Sequence, residues 1–167
     1  MKKLVAVVLA LVLTLGCVSA LADVKLGQVD YAAHGTKCFA VLTVAVDGDK
    51  IVDALIDEFQ FMAEGSVGVP NSDSDFGTSY PEGKVLASKR ANAEAYSANM
   101  AAAGSTVALD VNYAYIEDFV TGKTIAELET ILGENTKESM VDAVSGATLV
   151  DTFGYVSGLL EAAKLAK

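Results

Sequence analysis

The sequence predicts an α+β fold, with an antiparallel sheet built on a hairpin and packed with several helices. Three observations carry this reading. Residues 38–46 are rich in Val, Leu, Phe and Thr and run into Asp47-Gly48-Asp49, a tight-turn signal. A segment rich in Ala, Lys, Glu and Met begins near residue 86 and favours helix. Residues 151–166 repeat apolar side chains at helical spacing.

The elements follow in chain order. Lys2 and Lys3 precede an apolar run, residues 4–15, and then Ala20-Leu21-Ala22. A short basic region, an apolar stretch and a small-x-small ending make a secretory signal peptide, residues 1–22, cleaved before Asp23. The run is too short to span a bilayer comfortably. A second reading ends the leader before Cys17, because Gly16-Cys17 resembles a lipobox and would place a lipid on Cys17. Either way residues 23–167 form one extracytoplasmic domain, secreted, periplasmic or held at the outer face of the cell membrane.

Within that domain residues 50–59 form the second arm of the hairpin. Residues 63–83 carry Gly, Ser, Pro and Asn signals and read as a long loop, and the aromatics Phe76 and Tyr80 within it, with Phe61 just before it, suggest that it covers something. A helix is expected over residues 86–103, ended by Gly104. Residues 112–119 form a short apolar-aromatic segment. Thr124 and Glu127 make a capping box for a helix to about Leu132, closed by Gly133. In the final helix Phe153, Val156, Leu160 and Ala163 face the core.

Charge and composition exclude several function classes. The net charge is −10, and loss of Lys2 and Lys3 makes the remainder two charges more negative. Such a surface repels nucleic acid and anionic lipid headgroups, so membrane contact is expected only through the leader or a lipid anchor. Once Cys17 is removed or acylated, Cys38 stands alone, which excludes an internal disulfide or a cysteine metal site and leaves a buried thiol in a strand. His34 is the only histidine and reads as a turn residue. Lys89-Arg90 reads as a basic pair on an exposed helix face, within reach of a ligand phosphate at most. No Rossmann fingerprint or P-loop occurs, so a nicotinamide site is not expected.

The most informative segment is Asp142-Ala143-Val144-Ser145-Gly146-Ala147-Thr148, followed by Asp151. Physically it is a small-residue turn that feeds the final helix. Gly146 and Ala147 let a bulky group approach the backbone, and free amides at a helix start favour phosphate. The alternative is structural: Thr148 is an N-cap, with Asp151 completing a Thr-x-x-Asp box.

The pattern Asp142-x-x-Ser145-Gly146-Ala147-Thr148 resembles the Asp-x-x-(Ser/Thr)-Gly-Ala-Thr motif of the FMN-binding domain family. That family includes the C subunit of the sodium-translocating NADH:quinone reductase, the G subunit of the Rnf complex and exported flavoproteins of extracellular electron transfer. The resemblance extends over residues 27–166, with residues 48–61 similar to an earlier strand. It departs at Val150, where a second threonine is common, and in a longer central insert over residues 65–100.

The resemblance implies an FMN joined by a phosphoester to Thr148, attached by a flavin transferase that uses FAD. Asp142, Ser145, Gly146 and Ala147 would shape the turn read by that transferase. The ring would need an apolar bed with a few polar groups. Phe59, Phe61, Met62 and Tyr80 are candidates for the bed, and Asn71 and Glu58 for its polar edge. The implied role is an electron carrier fed by a redox partner protein or a quinone-linked membrane reductase. A stand-alone flavin-dependent reductase of a small molecule and a non-redox secreted domain are the alternatives.

Overall fold

The computed structural model describes residues 23–35, 37–72 and 81–167. The leader, Cys17, Phe76 and Tyr80 lie outside the described residues. Among the described residues no helix is long and apolar enough to cross a membrane.

The architecture is α+β. Four strands form an antiparallel meander in the order β1 (Lys25–Tyr31), β2 (Cys38–Asp47), β3 (Lys50–Ala63) and β4 (Lys84–Ser88). Five helices follow: α1 (Ala93–Ala102), α2 (Leu109–Val120), α3 (Ile125–Glu134), α4 (Lys137–Ala143) and α5 (Thr152–Lys164).

The hairpin lies where the sequence predicts it. Asp47 pairs with Lys50, so Gly48 and Asp49 form the two-residue loop, with Gly48 at φ 65°. A positive φ at the first loop position matches the twist of the flanking strands. Strict alternation then buries Ala40, Leu42, Val44 and Val46 on one face of β2. A bulge at Val52 resets β3, after which Ile56, Glu58 and Met62 share that buried face.

The sequence reading missed β1, β4 and α4. Residues 86–88, expected to open a helix, lie in β4, and the helix begins only at Ala93. Pairing with β3 overrides the local propensity there. Residues 112–119, expected as a short apolar segment, lie inside α2. The Thr124 capping box is present, with Glu127 N–H donating to Thr124 Oγ1 at 3.2 Å and Thr124 N–H to Glu127 Oε2 at 2.7 Å. Helix α3 runs through Gly133 rather than stopping there.

The free edge of β3 is closed in three ways. At its start the chain after α2 runs alongside, with Gly122 N–H donating to Ile51 O at 2.8 Å and Ile51 N–H to Lys123 O at 2.9 Å. In the middle, side chains replace a strand: Ile56 N–H donates to Glu117 Oε1 at 2.7 Å, and Arg90 Nε donates to Ile56 O at 2.7 Å. The carboxylate and the guanidinium also pair with each other. Further on, β4 takes over from Phe59 to Ala63. Unpaired backbone groups on an edge invite unwanted strand pairing, and these contacts remove them.

Helix α5 packs on β1 and β2 at close backbone range. A Cβ on Gly27 would lie 1.9 Å from Ala162 O, and one on Gly158 would lie 2.2 Å from Leu42 Cδ1. Val156, Leu160 and Ala163 are buried as the spacing predicts, and Phe153 is half-buried. Gly27→Ala forces α5 off the sheet and is expected to destabilise the chain by roughly 3 kcal/mol in urea denaturation. A loss within experimental error of zero would show that α5 is not seated this closely.

Candidate functional site

The motif runs from the end of α4 through the first of two successive tight turns that join α4 to α5. Ala147 N–H donates to Val144 O at 3.1 Å, and Gly146, third residue of that turn, has φ 96°. A type II turn requires this conformation at its third position. The ring of Tyr115, from α2, lies against the same residue: a Cβ there would stand 2.7 Å from Tyr115 Cζ. The second turn closes with Thr152 N–H to Leu149 O at 3.1 Å. Thr148 lies between the two turns and is exposed.

Thr148 is not the helix N-cap. That position belongs to Asp151, which makes no side-chain cap hydrogen bond. The second turn intervenes between Thr148 and the helix, so the Thr-x-x-Asp box does not form. The partner of Thr148 is Asn112. Its Oδ1 accepts Thr148 N–H at 2.6 Å and lies 3.4 Å from Thr148 Oγ1.

The other motif residues fall as follows. Ser145 and Gly146 are exposed and Ala147 is buried. Asp142 is exposed on α4, not in a turn, because α4 extends through Ala143. His34 does lie in a turn, with Nδ1 2.5 Å from Asp151 Oδ2, which ties the β1–β2 connection to the start of α5.

The expected ring bed does not assemble. Phe59 and Phe61 alternate with Glu58 and Met62, so they lie on the sheet face away from the helices, whereas Met62 is buried on the helix side. Phe59 stacks on Phe39 with centroids 5.6 Å apart. It also lines a cleft of about 400 Å³ with Asp57, Ser88, Arg90 and the Val67–Pro70 segment. The long loop therefore covers part of this outer face. Asn92 clasps it, accepting Val67 N–H at 2.8 Å and donating to Val67 O at 2.9 Å. Asn71 is exposed at φ 60° beyond it.

Glu58 and Lys89 are neither a ring edge nor a phosphate ligand on a helix face. Both are fully buried and face each other, Lys89 Nζ standing 2.5 Å from Glu58 Oε2. Lys89 follows β4 in a turn, and Lys89 N–H donates to Glu58 O at 2.7 Å. Tyr155 OH donates to the same Oε2 at 2.8 Å and Tyr113 OH at 3.4 Å. Glu58 Oε1 has no hydrogen-bond partner among the described residues. Burial opposes the Lys89 charge, but the hydrogen bond to Glu58 and its charge outweigh burial and hold Lys89 above the ordinary lysine value. Burial, then the Glu58 charge, pushes the Tyr113 hydroxyl well up. Burial, then Tyr113 and Glu58, does the same to Tyr155.

Cys38 is a free, buried thiol, as the sequence predicts, and its Sγ donates to His34 O at 3.4 Å. Burial, followed by the Glu58 charge, pushes it from 9.0 up to about 11. Among the described residues no group of His, Cys, Asp and Glu could hold a metal ion.

The sequence reading missed Asn112 and Tyr115. A polar Asn inside an apolar-aromatic helical stretch was the available signal, since Asn is a poor helix interior residue without a partner. In comparisons with protein-family models, curated proteins and solved structures, nothing matches this chain.

Two outcomes follow from the buried cluster. Lys89→Met is expected to cost about 3–5 kcal/mol in urea denaturation, because it leaves a buried carboxylate unpaired. Adding Glu58→Gln should recover part of that loss, and strictly additive losses would show that the pair is not coupled. At pH 8 alkylation of Cys38, read by peptide mapping, should be about a hundredfold slower in the native chain than in urea. The raised pKa withholds thiolate until the pH approaches 11. Equal rates in both conditions would contradict the burial of the thiol.

Proposed function

We propose that the chain is an exported flavoprotein that carries FMN covalently on Thr148 and serves as an electron carrier in an extracytoplasmic redox chain. The observation that carries the reading is the state of the Thr148 hydroxyl. It belongs to an exposed residue, stands apart from the cap of α5, and makes one long contact, 3.4 Å to Asn112, among the described residues. The N-cap position that would otherwise account for a threonine at this place is occupied by Asp151.

The residues present fit the attachment chemistry. Thr148 would be the anchor, and the turn over Ser145, Gly146 and Ala147 would present it to a flavin transferase. The acidic surface does nothing to attract a free phosphorylated ligand, so a covalent bond suits this chain better than electrostatic capture. Phe59 and Phe61 do not fit as a bed, since they face away from the motif. Tyr115 offers an exposed aromatic ring beside Gly146 instead. When bound, FMN supplies one- and two-electron chemistry, and the protein holds it and exposes an edge to partners. A redox partner protein or a quinone-linked membrane reductase would supply the electrons.

The test is intact mass and peptide mapping of chain exported together with a flavin transferase. A gain of one FMN less one water on the Thr148 peptide, lost in Thr148→Ala, is expected. An unmodified peptide in protein that copurifies with FMN would replace covalent attachment by reversible binding and favour the reductase reading. Colourless, unmodified protein would sink the flavin reading.

A further inference from the structure

Asn112 is completely buried on α2, yet its side chain reaches the hydroxyl of the exposed Thr148. Its amide nitrogen donates to Val107 O at 3.1 Å and to Ala108 O at 3.0 Å. Both hydrogens are used on carbonyls just before α2, so the amide has one sensible orientation. Reversing it would set Oδ1 against two carbonyl oxygens and the amide nitrogen against Thr148 N–H. Oδ1 must therefore face the motif, where it accepts Thr148 N–H at 2.6 Å and lies 3.4 Å from Thr148 Oγ1.

The two contacts differ in strength. The backbone bond is short and fixes where residue 148 sits. The hydroxyl contact is long for O–H···O, so it aims the proton toward Asn112 without holding it firmly. The oxygen lone pairs are thereby left uncommitted to Asn112, on an exposed residue that an incoming electrophile can reach. Tyr115, one turn further along the same helix, packs against Gly146 and limits movement of the loop from the other side.

We infer that Asn112 is a positioning residue that presents the Thr148 hydroxyl for phosphoryl transfer. This rests on the covalent flavin reading above. In the step it serves, Thr148 Oγ1 bonds to the FMN phosphorus of FAD, the bond from that phosphorus to the AMP oxygen breaks, and AMP leaves with the electron pair. The hydroxyl proton passes to a base of the transferase or to water, and nothing is oxidised or reduced. Asn112 takes no proton; it holds the acceptor in place, and loss of such placement by about an ångström costs on the order of a hundredfold in rate.

The experiment compares the full chain with Asn112→Ala as acceptors for a purified flavin transferase and FAD. Flavin attachment is followed by in-gel fluorescence and intact mass, with the fold checked by circular dichroism. Asn112→Ala is expected to lower kcat by about 10- to 100-fold and leave the KM for FAD within about twofold. A general loss of fold would also lower the rate, and is told apart by the change it makes in the circular-dichroism spectrum. If Asn112→Ala takes flavin at the wild-type kcat while wild type is modified at Thr148, the positioning role is overturned and the flavin reading stands. If wild type takes no flavin, the flavin reading falls and this role falls with it.

A second measurement needs no variant. In the unaltered chain the Thr148 amide is expected to exchange with deuterium at least about tenfold more slowly than an unbonded loop amide, because its N–H is held by a buried acceptor. Exchange at the free-peptide rate would overturn the inference even if Asn112→Ala failed to fold.

Discussion

A single buried carboxylate oxygen holds the chain together. Glu58 Oε2 receives Lys89 from the turn after β4, Tyr113 from α2 and Tyr155 from α5, while Glu58 itself belongs to β3. One atom thus fixes the relative position of the sheet, of α2, which contacts the motif, and of α5, which follows it. Burying a charge is costly, and the cost is offset only when the partners are well placed. The two tyrosine rings also meet edge to face, with centroids 5.4 Å apart. Such a centre penalises any displacement of its members more sharply than apolar packing would, because a shifted partner leaves a charge unpaired in a low-dielectric interior.

Helix α2 carries that constraint outward. Tyr113 faces the buried carboxylate, and its neighbour Asn112 binds the backbone of Thr148. Tyr115 then supports Gly146, and Glu117 substitutes for a missing strand at Ile56. Successive polar and aromatic residues of one helix therefore serve the core, the motif and the sheet edge. Burial raises Glu117 above the usual carboxylate range, while the Ile56 N–H and the Arg90 charge act against that rise. The motif loop is accordingly a surface feature held by interior contacts, which suits a residue that must be both reachable and fixed.

The hairpin was legible because its turn and alternation are local: Gly48 meets a backbone demand and β2 faces a core on one side only. The Thr124 capping box and the apolar face of α5 were legible for the same reason. β1 was not, since Gly27 contributes no side chain and its place depends on α5 backbone lying against it. Residues 86–88 read as helix because nothing nearby announces that β3 will pair with them. Lys89 read as exposed because a lysine is buried only when a partner distant in sequence neutralises it, and Glu58 is that partner.

For the candidate site the division is similar. The sequence by itself determined the small-residue run ending in Thr148, the apolar-aromatic stretch before it and the acidic net charge of the chain, all of which follow from residue type and short spacing. Only the tertiary structure decided that Thr148 stands outside the helix cap and that Asn112 is its partner. It alone put Phe59 and Phe61 on the far side of the sheet from Met62. The physical reason is that a hydroxyl's role depends on which donor or acceptor reaches it. Here the one that does comes from a helix thirty-six positions earlier in the chain.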